Sequence, residues 1–328
     1  MHFRPKLVPE AVRRHASQHW SRRHFLVAGG AAAAATFVAG CKHSDPLRND
    51  IIDCHTHFYD PTRPEGVPWP NRGDSIYRRT LPPDYRAVAS GHGVTGTVVV
   101  EASAWFADNQ WILALAARDP FIVGFVGNLV PGANEFAAQV KALAANRLFR
   151  GLRVSGGNVA KLGDAKMLRH LELMADLDLS LDTNGGVGSL AAVADLARAV
   201  PRLRIIVDHV ANVRIDGAAP PADWLEGMRA VGDQPNVFCK VSGLVEGSGR
   251  RRSAPADLDF YRPVLDHVWS CFGATRVVYG SNWPVSELFA GFAVVHGLVE
   301  RYFAEKGDAA QRLYFAGNAA AAYKWVRR

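Results

Sequence analysis

Eight short, apolar, β-branched runs recur along the chain after residue 50, and stretches of helical spacing lie between them. The runs are Ile51 to His57, Thr97 to Glu101, Ile122 to Leu129, Phe149 to Val154, Leu179 to Thr183, Arg204 to Val210, Asn236 to Ser242 and Arg276 to Asn282. Apolar residues at helical spacing fill Trp105 to Arg118, Phe136 to Leu143, Met167 to Leu177, Leu190 to Val200, Trp224 to Val231 and Leu258 to Cys271. Strands that are apolar on both faces and joined by helical crossovers belong in a buried parallel sheet. Eight of them predict one α/β domain over 51–328, a (β/α)8 barrel with C-terminal helices. Its functional groups would stand at the carboxyl ends of the strands. A doubly wound open sheet has the same alternation, but a nucleotide-binding sheet of that kind carries a Gly-rich phosphate loop after its first strand. Here the first strand ends instead in His55 and His57.

Residues 1–41 read as an address. Arg22 and Arg23 precede an Ala- and Gly-rich apolar run from Val27 to Val38, and the tetrapeptide Val38-Ala39-Gly40-Cys41 follows. The pattern resembles a twin-arginine export signal ending in a lipobox. It implies cleavage before Cys41, lipidation of that sulfur, a linker over 42–50, and a periplasmic or cell-surface protein that touches membrane only through the lipid anchor. A spanning helix needs about 20 residues of stronger hydrophobicity. This segment holds six basic residues against one acid, so it carries five of the seven net positive charges of the chain. The remainder is close to neutral, which argues against a nucleic-acid partner. Beyond Cys41 there are three cysteines at wide spacing, too few and too irregular for a disulfide framework.

In a barrel the last inward residue of each strand faces a common mouth. Those residues here are His55 and His57, Glu101, Asn128, Arg153, Asp182, His209, Lys240 with Ser242, and Asn282. All are polar, which points to a site for a small molecule. Two imidazoles separated by one residue on a strand lie on one face, where they can share a divalent ion. By the same alternation Asp53 would point their way and orient an imidazole. Arg153 and Lys240 are cations on buried strands and need anionic partners. Either Glu101 and Asp182 supply those partners, or an anionic or polyhydroxylated substrate does, gripped by the planar guanidinium.

These residues carry a resemblance. Asp53-Cys54-His55-Thr56-His57, Phe149 to Arg153 (FRGLR), Val207-Asp208-His209, Asn236 to Leu244, Gly280 to Val285 (GSNWPV) and Gly317 to Tyr323 (GNAAAAY) follow in order at barrel spacing. Together they resemble the amidohydrolase superfamily, within it the amidohydrolase-related branch of sugar-acid lactonases and 2-pyrone-4,6-dicarboxylate lactonase. The resemblance implies His55, His57 and His209 as an imidazole cluster for one divalent ion, Zn²⁺ in many members and absent in some. Glu101 could add an oxygen ligand. Such a site polarises a carbonyl and activates water. A carboxylated lysine bridging two metals has no candidate, since Arg153 stands on the fourth strand.

The chain departs from the family at its eighth strand, where the usual motif GSDWPV becomes GSNWPV and Asn282 replaces the Asp that takes a proton from water. An amide cannot titrate in that role. Three outcomes remain open. The base stands elsewhere, with Asp182 and Glu101 as candidates; the reaction needs none; or the barrel binds without turnover. The expected activity is hydrolysis of a small lactone or similar carbonyl compound from a sugar acid or aromatic acid. A binding lipoprotein and a decarboxylase are the alternatives on the same scaffold.

Overall fold

The computed structural model describes residues 50–328, and the expected signal and linker lie outside that range apart from Asp50. Eight strands form one sheet in the order of the chain: β1 Ile52–Thr56, β2 Gly96–Val100, β3 Ile122–Gly127, β4 Phe149–Ser155, β5 Ser180–Asn184, β6 Arg204–Val207, β7 Val237–Val241 and β8 Val277–Tyr279. All seven ladders are parallel. The ring closes just beyond β8, where Trp283 bridges to Thr56 and its carbonyl accepts the His57 amide at 2.9 Å.

Helices cover the outside, as a sheet buried on both faces requires. They are α1 Pro82–Ala89, α2 Phe106–Arg118, α3 Phe136–Ala144, α4 Ala165–Asp176, α5 Leu190–Ala199, α6 Ala222–Gly232, α7 Leu244–Gly247, α8 Arg262–Phe272, α9 Phe292–Glu305, α10 Asp308–Arg312 and α11 Asn318–Tyr323. In α2 the buried residues are Asn109, Ile112, Leu113 and Ala116, one face of a 3.6-residue period, so the helix can dock only one way. Among the described residues no helix is long and apolar enough to cross a membrane. Cys54, Cys239 and Cys271 are free thiols.

Inside the ring, Ile52, Cys54, Val98, Val100, Ile206, Phe238 and Val278 make a separate apolar cluster, which Ala316, Ala319, Ala322 and Tyr323 join from the C-terminal helices. Arg150 and Arg204, at the starts of β4 and β6, donate to the carbonyls of Tyr323 (2.9 Å) and Ala322 (2.8 Å). Those bonds satisfy carbonyls that the end of α11 would otherwise leave open, and they fix it as the plug of the amino-terminal end.

Three departures from the simple strand pattern shape the other end. The register of β1 slips between Asp53 and Thr56. Asp53 therefore turns away from the imidazoles, accepts the amides of His55 and Ser281, both at 2.9 Å, and takes the Tyr85 hydroxyl of α1. It ties β1 to the start of the segment after β8, and the expectation that it orients an imidazole is corrected. The sixth strand ends at Val207, not at Val210. His209, Val210, Ala211 and Asn212 all have φ between 47° and 60°, a left-handed turn that costs non-glycine residues roughly 1–2 kcal/mol each. The eighth strand stops at Tyr279, and Asn282 also sits at positive φ, 57°.

Candidate active site

The left-handed turn after β6 begins at His209 and sets its ring at the mouth, while Asp208 just before it lies buried beside His55 of β1. Ring centroids lie 4.9 Å apart for His55 and His57 and 4.3 Å apart for His55 and His209. Gly243, at φ 66°, holds the β7–α7 connection against His209, and a Cβ there would come within 2.7 Å of the His209 Cβ. Only glycine fits that approach. The mouth opens on a cavity of about 540 Å³, bordered among others by His57, Glu101, Arg153, His209, Glu246 and Asn282.

All three imidazoles are held neutral. Burial lowers His55 well below the usual value, with Lys240 adding to the effect; it lowers His57 to about 3, with Arg153 next, and His209 to about 4. His57 Nδ1 lies 3.0 Å from the Val100 carbonyl. A carbonyl only accepts, so Nδ1 carries the proton and Nε2 keeps its lone pair. His209 Nδ1 is 2.8 Å from the Ser242 hydroxyl.

The donor set suits one ion. His55, Asp208 and His209 each offer a ligand atom within 4.8 Å of the others. Asp208 is fully buried, yet neither of its oxygens accepts an aligned hydrogen bond, although Lys240 Nζ makes an ionic contact at 2.8 Å. Burial opposes its charge, but Lys240, His209 and Arg153 outweigh that and lower its carboxyl below the usual value. A buried anion with unused lone pairs beside neutral imidazoles is the chemistry of a divalent-cation site.

The expected site residues divide between two levels of the barrel. At the mouth, Arg153 donates from Nε to Glu101 Oε1 and from Nη2 to the Glu101 carbonyl, both at 2.8 Å, and its Nη1 lies 3.4 Å from His55 Nε2. The internal partner for this cation is thus Glu101. Deeper, Lys240 is wholly buried and donates to Asp182 Oδ2 at 2.6 Å and toward His55 Nδ1 at 3.1 Å, while Tyr323 Oη donates to the same Asp182 oxygen at 2.8 Å. Neither Lys240 nor Asp182 borders the cavity. Two expectations therefore need correction: Lys240 does not stand where it could grip substrate, and Asp182 does not stand where it could take a proton from water. Both lie two residues too early on their strands, and two residues of strand are a step of about 7 Å along the barrel. The residue of β5 that borders the cavity is Asn184, and Ser242, one residue past β7, holds the ring of His209 there without bordering the cavity itself.

Three groups escaped the sequence reading. Asp208 had a signal, since it shares the inward side with Ile206 by period two and adjoins His209 in the same motif. Asn212, which borders the cavity, had none, because it depends on the left-handed turn. Glu246 was visible only as one acid in an apolar stretch, Leu244-Val245-Glu246. It now stands in the mouth, where Asn282 Nδ2 donates to its Oε1 at 2.8 Å. Burial pushes its carboxyl up to about 7.

Comparison with known proteins bears on the family and the fold. The sequence pattern of a family described as amidohydrolase matches residues 52–325. A protein described as L-fucono-1,5-lactonase from Burkholderia ambifaria is 31% identical over 283 residues, covering 83% of this chain and 95% of that protein. The crystal structure of an amidohydrolase from Burkholderia multivorans with bound zinc is 27% identical, covers 84% of this chain and 99% of that one, and superposes with a TM-score of 0.75. A probable 2-pyrone-4,6-dicarboxylic acid hydrolase from Acinetobacter baumannii, crystallised with citric acid, is similar in fold alone, at 15% identity and a TM-score of 0.69.

Proposed function

The chain belongs to the amidohydrolase family, and on that premise we propose that it opens a small lactone by hydrolysis, the lactone being that of a polyhydroxylated or anionic acid. The observation that carries the reading is the convergence of two neutral imidazoles, His57 and His209, the Glu246 carboxylate and the Arg153 guanidinium on one cavity large enough for a single sugar ring, with His55 and Asp208 buried beside them. The lactonase description of the Burkholderia ambifaria relative supports it. Asn184, Asn212 and Asn282 supply amides that recognise ring hydroxyls, and Trp69 and Phe289 supply apolar surface for a ring face.

The residues fit one divalent ion, with Zn²⁺ proposed because imidazole and carboxylate donors suit it and the Burkholderia multivorans structure holds zinc. His55, Asp208 and His209 would hold it, and His57 would face it from the rim. When bound, such an ion polarises a carbonyl and lowers the pKa of water. The chain's own residues do the rest. Arg153, anchored by Glu101, presents Nη1 toward the imidazoles, so its charge lies where oxygen becomes negative as a carbonyl is attacked. The Val100 carbonyl fixes the His57 tautomer, which keeps Nε2 an acceptor toward the cavity.

The export reading belongs to the same proposal: a twin-arginine signal, with Cys41 lipidated and the barrel held at the periplasmic or outer cell surface. One experiment addresses both parts. The full chain is expressed in a bacterium with this export route, fractions are assayed against a panel of aldonolactones, and metal is measured in the active fraction. Lactonase activity is expected in the membrane fraction with about one divalent ion per chain, and Cys41→Ser should move that activity to the soluble fraction. Ligand binding without turnover at any pH would replace the enzyme reading with that of a binding protein.

A further inference from the structure

Asn282 stands where its family has a titrating Asp, so the lactone reading needs a proton acceptor from elsewhere. Three carboxylates compete for the role. Asp182 is shut beneath the mouth, bonded to Lys240 and Tyr323. Glu101 borders the cavity, but it is committed to Arg153 through its side chain and its carbonyl. Glu246 differs from Asp182, whose Oδ1 is also buried without a donor, in bordering the cavity, and from Glu101 in having no cation to hold among the described residues. Its Oε1 accepts the Asn282 amide, and its Oε2, itself buried, accepts no hydrogen bond. A buried carboxylate oxygen without a donor is costly unless something else, a water or a substrate, fills the place. Glu246 borders the cavity that His57, His209 and Arg153 also line, with Oε2 buried in its wall.

We propose that Glu246 takes the proton from the attacking water and that Asn282 is the positioning residue that holds it, an inference that rests on the lactone reading above. In the forward step a water O–H bond breaks, its proton goes to Glu246 Oε2, and the remaining oxygen bonds to the lactone carbonyl carbon as the C=O electron pair moves onto oxygen. In the second step that pair re-forms the carbonyl, the ring C–O bond breaks, and the proton on Glu246 passes to the departing ring oxygen. The product is the open hydroxy acid, and Glu246 ends ionised as it began.

The substitution at 282 then has a physical reason. An Asp at 282 would put two carboxylates in hydrogen-bond contact, and such pairs share one proton. An amide instead donates to the ionised partner and leaves one group to titrate. Titratable and charged groups near Glu246 come from several elements: His57 beyond β1, His209 in the turn after β6 and Arg153 at the end of β4 border the same cavity, and Tyr261 stands near it from the segment after α7. Burial sets its carboxyl near 7, against the lowering effect of the Asn282 amide.

The test is the pH profile of lactone hydrolysis for the metal-loaded wild type, Glu246→Gln, Asn282→Asp and the double variant. In the wild type kcat/KM should rise through an acid limb near 7, where Glu246 loses its proton. Glu246→Gln should lower kcat by about 10²–10⁴-fold with little change in KM and abolish that limb. Asn282→Asp should displace the limb, because the new pair shares a proton. The double variant returns a base to the eighth strand and should recover at least about tenfold over Glu246→Gln. A Glu246→Gln enzyme within about threefold of wild type with the limb intact overturns the proposal. Should that variant fail to fold, an unmoved limb in Asn282→Asp overturns it. A wild type that opens no lactone sinks the lactone reading itself, which separates the two failures.

Discussion

Two groups of buried charge lie on the same barrel about one strand layer apart, and they are satisfied in opposite ways. In the lower group Lys240 lies between Asp182 and Asp208 and Tyr323 adds a hydroxyl from the C-terminal plug; Asp182 Oδ1 is left without a donor, but neither Lys240 nor Asp182 borders the cavity. In the upper group Arg153 and Glu101 satisfy each other, but His57 and Glu246 border the cavity, Glu246 Oε2 has no donor, and the oxygens of Asp208, shared with the lower group, keep unused lone pairs. A closed network returns its desolvation cost as internal pairing. An open one leaves part of that cost for a ligand to recover, which is why polar groups left without partners at the wall of the cavity mark the site.

The comparison breaks most visibly at Lys240. Lys240→Met leaves Asp182 and Asp208 buried without their cation, and urea unfolding should show a loss of about 3–5 kcal/mol. Arg153→Met should cost clearly less stability, because Glu101 lies at the rim where water can reach it. Equal losses would erase the distinction between the two levels.

A smaller effect with a definite sign is expected at Glu246. Its carboxyl stands at about 7 in the folded protein against an ordinary value of 4.5. Folding therefore favours the protonated form: the protein is not penalised below about pH 4.5, and stability falls as pH rises through 7. Glu246→Gln removes that penalty. Its melting temperature should exceed that of the wild type at pH 8, by a margin worth about 1–3 kcal/mol, and equal it at pH 4. A variant that is less stable at pH 8 would mean that Glu246 is paired in solution.

The smallest effect is expected at Tyr323. Tyr323→Phe removes one donor from an Asp182 oxygen that Lys240 still holds, so the loss should be about 0.5–1.5 kcal/mol by thermal melting, with catalysis unchanged. A larger loss, or a change in rate, would show that the plug reaches the mouth through Asp182.

Most of the barrel was legible because its signals are local. Runs such as Ile122 to Leu129 and faces such as Ile112, Leu113 and Ala116 declare period and burial from their own residues, and eight of them leave few architectures. His55, His57 and His209 were legible as a set through spacing and motif, and the structure brings their rings together. Depth along each strand was not. Whether Lys240 or Ser242 ends the seventh strand at the mouth depends on where the ladders with β6 and β8 stop, and no residue in β7 encodes that by itself.

The sequence by itself determined the fold and the stock of polar groups, since hydrophobic period and residue chemistry are properties of the chain read in order. Only the tertiary structure decided which of those groups are spent on each other. The slip in β1 turned Asp53 outward, the left-handed turn after β6 brought Asn212 to the cavity, and the glycine-tight connection after β7 placed Glu246 against Asn282. Pairing depends on distances between segments far apart in sequence, and those distances exist only once the ring has closed.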